Sequence, residues 1–142
     1  MHYSHDELLS LLPQRAPILM VDSVNAETTD DCLSTLTLAP DNFFIEPSDG
    51  LLAEPGLIEH IAQSASALAG HRAKMIGQPA PVGYIGEIKK FHCYRRPAVG
   101  EQLCTTVSMG TEVNGVTLLT GVTQVDGVTV ADTQMKIFTA DK

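Results

Sequence analysis

The stretch Glu54-Pro55-Gly56-Leu57-Ile58-Glu59-His60-Ile61-Ala62-Gln63-Ser64-Ala65-Ser66-Ala67-Leu68-Ala69-Gly70 constrains the fold of this chain more than any other. Leu57, Ile58, Ile61, Ala62, Ala65, Leu68 and Ala69 recur at helical spacing, and nearly every residue between them is Ala or Ser. Pro55 fits a first helical turn, where its missing N–H removes no hydrogen bond. Gly70 is the expected stop. A helix that is apolar and small-sided on nearly every face belongs inside a protein. Glu59 is then an anomaly, because an unpaired buried carboxylate costs on the order of several kcal/mol or is neutralised by protonation.

The rest of the chain must supply what covers that helix. Ser4 and Glu7 have capping-box spacing, which predicts a short helix from Ser4 to Leu12 ended by Pro13. Ala16-Pro17 calls for extended backbone, and Ile18-Leu19-Met20-Val21 continues as a predicted strand. After a polar turn, Cys32, Ser34, Leu36 and Leu38 share one face of a second strand. A loop opening at Pro40 carries Phe43-Phe44 and Glu46 to Gly50 towards the helix, and Gly77-Gln78-Pro79-Ala80-Pro81 breaks the pattern after it.

A strand from Tyr84 to Tyr94 follows, then a meander in which Leu103, Thr105, Val107 and Met109 alternate with polar neighbours. Asn114-Gly115 and Asp126-Gly127 are two-residue hairpin turns, since both pairs tolerate the positive φ such turns require. In the last strand, Val128 to Phe138, the apolar register slips from Val128 and Val130 to Ala131, Met135 and Ile137, which predicts a bulge. The order is helix, two strands, one long buried helix, four strands. One antiparallel sheet curled around the long helix is the economical α+β solution, and it resembles the hotdog fold as a single domain over residues 1–142. Helix ends and sheet edges would leave apolar surface for a second subunit, so at least a dimer is expected.

Composition narrows the function. The 17 acidic and 9 basic residues give a net charge of −8, which argues against a nucleic-acid partner. Lys89-Lys90 and Arg95-Arg96 flank Phe91 to Tyr94; they read as a solvated strand face or, more sharply, as a docking patch for an acidic partner. No apolar run is long enough to span a membrane, and the N-terminus lacks signal-peptide order, so a cytoplasmic protein is expected. Cys32, Cys93 and Cys104 are too widely spaced for a C-x-x-C pair, and no metal site is predicted.

Two segments carry a family resemblance. Leu12-Pro13-Gln14-Arg15-Ala16-Pro17-Ile18-Leu19-Met20-Val21-Asp22 resembles the opening of (3R)-hydroxyacyl-ACP dehydratases, Leu-Pro-His-Arg-x-Pro followed by an apolar trio and Val-Asp. Pro55-Gly56-Leu57-Ile58-Glu59-His60-Ile61-Ala62-Gln63 is similar to their helix motif, Pro-Gly, apolar residues, then Glu-x-x-Ala-Gln. Asn42-Phe43-Phe44, Gly86 to Phe91 and Arg96 to Leu103 resemble further family segments in the same order. The resemblance implies loss of water from a 3-hydroxyacyl chain carried on the phosphopantetheine of an acyl carrier protein, with no other cofactor. It makes Glu59 the catalytic carboxylate, with Gly56 and Gln63 at the substrate. A free N–H at the helix start, near Gly56, would polarise the thioester carbonyl, a role that helix electrostatics also favours. Gln63, one turn beyond Glu59, is placed to hydrogen-bond to it.

The resemblance also has a gap. The family's catalytic histidine lies in a Gly-His-Phe-Pro loop after the Phe-Phe pair, whereas this chain reads Ile45-Glu46-Pro47-Ser48-Asp49-Gly50. His60 points about 100° away from Glu59 around the helix, His71 is near the helix end and His92 is on a distant strand. Three readings follow. The first is a dehydratase subunit that is a homodimer or pairs with a histidine-bearing homologue, as in fatty acid or aryl polyene pathways. The second is a hotdog acyl-ACP or acyl-CoA thioesterase, which needs only an acid and a helix N-terminus. The third is a non-catalytic acyl-binding or scaffold subunit. Leu51, Leu52, Ile85, Ile88 and Phe91 are candidates to line an acyl tunnel.

Overall fold

A computed structural model describes residues 1–78 and 83–139, with the Pro79-Ala80-Pro81 part of the expected break outside the described residues. The elements in chain order are β1 (His2–Ser4), a 3₁₀ helix (His5–Ser10), β2 (Ser23–Asn25), β3 (Asp31–Thr37), α1 (Glu54–Met75), β4 (Gly83–Cys93), β5 (Gln102–Val113), β6 (Val116–Val125) and β7 (Val128–Thr139). They form one long helix and a seven-stranded antiparallel sheet of order β1-β2-β3-β5-β6-β7-β4. This is the hotdog architecture.

The inward alternation is as expected. Cys32, Ser34 and Leu36 of β3 and Leu103, Thr105 and Val107 of β5 are buried beneath α1, as is Leu38 just beyond β3. Both hairpin turns adopt positive φ, at Asn114 and Gly115 and at Asp126 and Gly127. The β6–β7 pairing jumps from Thr123↔Ala131 to Gln124↔Thr129, so Val130 is the extra residue of the predicted bulge. Val130 and Ala131 are both buried, which is what the slipped apolar register encodes.

Three local expectations are corrected. Ser4 ends a strand instead of capping a helix: its backbone is extended, its side chain makes no cap bond, and only the six-residue 3₁₀ helix follows. Pairing with β2 and burial of Tyr3 outweigh the capping pattern. Ile18 to Val21 is not a strand. The chain turns at Arg15–Ile18, and helix side chains, described below, occupy the backbone groups of Met20 that a neighbouring strand would need.

Gly70 does not end α1, which continues to Met75. A Cβ at position 70 would lie 2.1 Å from the backbone oxygen of Leu11, so the glycine provides space, not a turn. Overpacking of this kind typically costs about 1–3 kcal/mol.

The helix is not equally covered on all sides. Leu57, Ile61, Ala65 and Leu68 are fully enclosed, whereas Ile58, Glu59, Ala62, Ser66 and Ala69 are half-buried along one stripe. Among the described residues β4 is an edge strand of the sheet, paired with β7. There Ile88 stands opposite the buried Met135, and so on the inner face, yet is 40% exposed.

Candidate functional site

Glu59 lies on the half-covered stripe, in the second turn of α1. Its Oε2 accepts a hydrogen bond of 2.8 Å from Nε2 of Gln63, the residue one turn on. Gln63 is itself fully buried. Its Nε2 also donates to the Ile18 carbonyl at 2.9 Å, and its Oε1 accepts the Met20 N–H at 2.6 Å. Both amide hydrogens and the carbonyl oxygen of Gln63 are therefore engaged, and its amide can present only one orientation. A carboxylate held in this way faces one direction while keeping its other oxygen available.

His60 faces the core. Its Nδ1 lies 2.7 Å from the Met20 carbonyl and its Nε2 lies 2.8 Å from Thr105 Oγ1, which is 2.8 Å from Thr123 Oγ1. A carbonyl can only accept, so Nδ1 carries the proton and Nε2 accepts from Thr105. Burial pushes the imidazole pKa down to about 4, against smaller opposing effects of the Met20 carbonyl and Asp22. A neutral, enclosed ring with both nitrogens satisfied holds structure and has no route to a substrate. Ser64 continues the polar seam, donating to the His60 carbonyl at 2.7 Å and meeting Ser34 Oγ at 2.5 Å.

His71 and His92 are also committed. His71 Nδ1 lies 2.7 Å from the Tyr3 hydroxyl, and burial, then the N-terminal and Lys74 charges, lowers its pKa. His92 Nδ1 pairs with Asp132 at 2.9 Å on the exposed face of the sheet. None of these three stands within hydrogen-bonding distance of Glu59.

The start of the helix has a different construction. Asn42 Oδ1 accepts the Phe44 N–H at 2.8 Å, and Phe44 and Leu52 close over Gly56, where a Cβ would come within 2.6 Å and 2.8 Å of them. The Gly56 N–H donates to the Ala53 carbonyl at 2.9 Å. Arg96 braces the loop from outside, donating from Nε to the Leu52 carbonyl at 2.9 Å and from Nη1 to Asp49 at 2.9 Å. The Leu51 N–H, then Arg96, hold the Asp49 carboxyl below its usual range. Glu46, Ser48, Asp49, Ala53, Glu54 and Arg96 line an open depression of about 370 Å³ beside this loop.

The docking patch read from the basic pairs is reduced by the same contacts. Arg95 forms a double hydrogen bond with Glu101 at 2.8 and 3.1 Å and Arg96 is the loop brace, leaving Lys89 and Lys90 exposed. Cys32 is buried, and that burial, with Asp31 nearby, pushes its thiol up to about 12, far from a reactive thiolate. Among the acyl-tunnel candidates, Leu52 is fully buried core, Leu51 and Phe91 are half-buried and Ile88 is exposed, while the Ile85 side chain is outside the described residues.

Sequence reasoning missed the Met20 peptide, His60 with its threonine chain, and the Arg96 brace. The second left a trace: Thr105 and Thr123 are hydroxyls at inward positions of apolar strands, which marks a polar interior opposite His60.

The fold recurs in solved structures of low sequence identity. The dehydratase heterocomplex ApeI:P from Xenorhabdus doucetiae matches with a TM-score of 0.86 at 17% identity, covering 95% of this chain and 91% of that one. The sigma28-regulated virulence protein Cj0977 from Campylobacter jejuni matches with a TM-score of 0.74 at 14% identity, covering 95% and 96%. A hypothetical thioesterase protein with coenzyme A from Streptococcus pneumoniae TIGR4 matches with a TM-score of 0.67 at 8% identity, covering 84% and 85%. No curated protein matches the sequence significantly. A family model for the ApeP dehydratase, described as ApeP-like, matches residues 7–142, and this chain therefore belongs to the ApeP-like dehydratase family.

Proposed function

We propose that the protein is one subunit of a 3-hydroxyacyl-[acyl carrier protein] dehydratase, contributing Glu59 to a composite site completed by a histidine-bearing partner. The observation that carries this reading is the half-buried Glu59 carboxylate, aimed by Gln63 along the open stripe of α1, in a chain whose loop from Ile45 to Gly50 holds no histidine. Membership of a dehydratase family and the fold shared with a dehydratase heterocomplex support it.

In this reading the partner's histidine removes the α-proton of the thioester, and the electron pair shifts towards the carbonyl. Collapse of that enolate breaks the C–O bond at the 3-position. Protonated Glu59 gives its proton to the departing hydroxyl, so the products are the 2-enoyl thioester and water. General acid–base assistance of this type contributes about 10²- to 10⁴-fold. The substrate arrives on the phosphopantetheine arm of an acyl carrier protein, in fatty acid or aryl polyene synthesis. Gln63 shapes the site through Glu59, and Gly56 through the close packing that starts the helix. With its own N–H bonded to Ala53, Gly56 polarises the carbonyl only where the substrate oxygen shares that hydrogen.

The test is to mix the protein with a histidine-bearing hotdog dehydratase subunit and follow mass and dehydration of a 3-hydroxyacyl-ACP. A hetero-oligomer active beyond either component is the expected result. Release of free acid by this protein alone would indicate a thioesterase. Neither association nor dehydration would leave an acyl-binding or scaffold role.

A further inference from the structure

The geometry points to His60 as a positioning residue that fixes the direction of Glu59 through the peptide groups of Met20. The inference rests on the proposed role of Glu59 but extends to a residue that touches neither substrate nor carboxylate. The Met20 residue is held on both sides by one helix. Its N–H is taken by Gln63 at 2.6 Å and its carbonyl by His60 Nδ1 at 2.7 Å. Gln63 uses its remaining hydrogens on the Ile18 carbonyl and on Glu59. If Met20 shifts, the Gln63 amide must turn, and Glu59 loses the donor that aims it.

What keeps Met20 in place is the neutral imidazole, oriented from behind by Thr105, which is oriented by Thr123. The chain of contacts thus runs from the sheet to the carboxylate: Thr123, Thr105, His60, Met20, Gln63, Glu59. Every link is 2.6 to 2.8 Å long, and every side chain in it except Glu59 is buried. The segment around Met20 is not part of a strand, and its nearest main-chain anchor to the sheet is the Asp22 N–H, which donates to the Thr35 carbonyl at 2.7 Å. Between that anchor and the turn at Arg15–Ile18, the Met20 N–H and carbonyl are held by these side chains. Loops held by a few buried bonds transmit small displacements directly, and a misplacement of order 1 Å can cost about 100-fold in rate.

Two substitutions separate the two ring nitrogens. His60→Asn retains a donor near the position of Nδ1 and gives up the contact with Thr105. His60→Gln retains a polar group near Nε2 and gives up the donor to Met20. In the mixed complex, His60→Gln should lower kcat about 10- to 100-fold with KM nearly unchanged. His60→Asn should recover most of that loss. In this protein alone, His60→Gln should speed exchange of the Gln63 side-chain amide protons with water by at least about tenfold, one decade of lost protection.

A folded His60→Gln protein with wild-type amide exchange would overturn the proposal, whatever its activity. The wild-type protein provides a check that needs no variant: nitrogen NMR must show His60 with the proton on Nδ1, and an Nε2–H tautomer would contradict the arrangement. Should the mixed complex show no dehydration at all, the dehydratase reading fails, while exchange and tautomer still decide the positioning role.

Discussion

The middle and the start of the central helix hold their neighbouring loops in opposite ways. At the middle, Gln63 and His60 grip Met20 with neutral hydrogen bonds among fully buried groups. At the start, Arg96 braces Leu52 and Asp49 with charge at the surface, and Asp49 is exposed. Buried groups have no water to fall back on, so a lost partner there costs the full desolvation of what remains. Exposed ion pairs exchange partners with solvent at little cost. Orientation of Glu59 is tied to the first kind of contact, and the loop where the family's histidine would lie is tied to the second. The carboxylate is fixed by its own chain; the neighbouring loop is held by main-chain bonds to Phe44, Leu51 and Pro97, with the Arg96 brace outside them.

The widest separation between the two regions should come from Gln63→Leu. It leaves the buried Met20 N–H and the part-buried Ile18 carbonyl without their partner, and a loss of roughly 2–5 kcal/mol is expected in urea unfolding. A loss below about 1 kcal/mol, the value of a surface contact, would erase the distinction.

Acid titration probes the same grip through His60. The unfolded histidine binds a proton near 6.5, while the folded one stays neutral to about 4. Protons therefore favour the unfolded chain in that window. The stabilisation is complete above about pH 6.5 and is lost as pH falls towards 4, amounting to roughly 3 kcal/mol. His71, also lowered, adds to the same slope. His60→Asn should flatten the stability profile between pH 7 and 4; an unchanged profile would mean His60 is not the enclosed neutral base described above.

At the helix start, Gly56→Ala places a methyl group 2.6 Å from Phe44 Cβ and 2.8 Å from Leu52 Cδ1. Leu52 Cδ1 can swing aside but Phe44 Cβ moves only with its backbone, so a loss of about 1–3 kcal/mol in thermal or urea unfolding is expected. The smallest effect belongs to Arg96→Ala. Its pairing with exposed Asp49 contributes about 1 kcal/mol or less and its bond to the Leu52 carbonyl about as much, and high salt should reduce the ion-pair share. A salt-independent loss larger than that of Gly56→Ala would show that the brace behaves as a buried contact.

Much of the framework was legible in the residues because it depends on local chemistry. Asn114-Gly115 and Asp126-Gly127 fix their turns through backbone conformation alone, and the slipped register around Val130 announced its bulge. Pro55 marked the helix start, and Glu59 stood out as a charge on an apolar helix. What failed to show depends on distant partners. Ile18 to Val21 is apolar enough for a strand, yet its fate is decided by His60 and Gln63, 40 and 43 positions beyond Met20. Gly70 reads as a helix stop because sequence does not reveal that the Leu11 carbonyl passes against it. Arg95 and Arg96 read as a patch until Glu101 and Asp49 are seen to take them. The bond between Gln63 and Glu59 was legible only because both lie on one helix, a turn apart.

The most direct measurement of the central claim is the rate of 3-hydroxyacyl-ACP dehydration by the complex formed with a histidine-bearing subunit, with this chain either wild type or Glu59→Gln. Glutamine retains a hydrogen-bonding partner for Gln63 and nearly the same shape, but it cannot give up a proton to the leaving hydroxyl. The account predicts an intact complex with dehydration reduced by at least about 100-fold. An intact complex that turns over at the wild-type rate would contradict it.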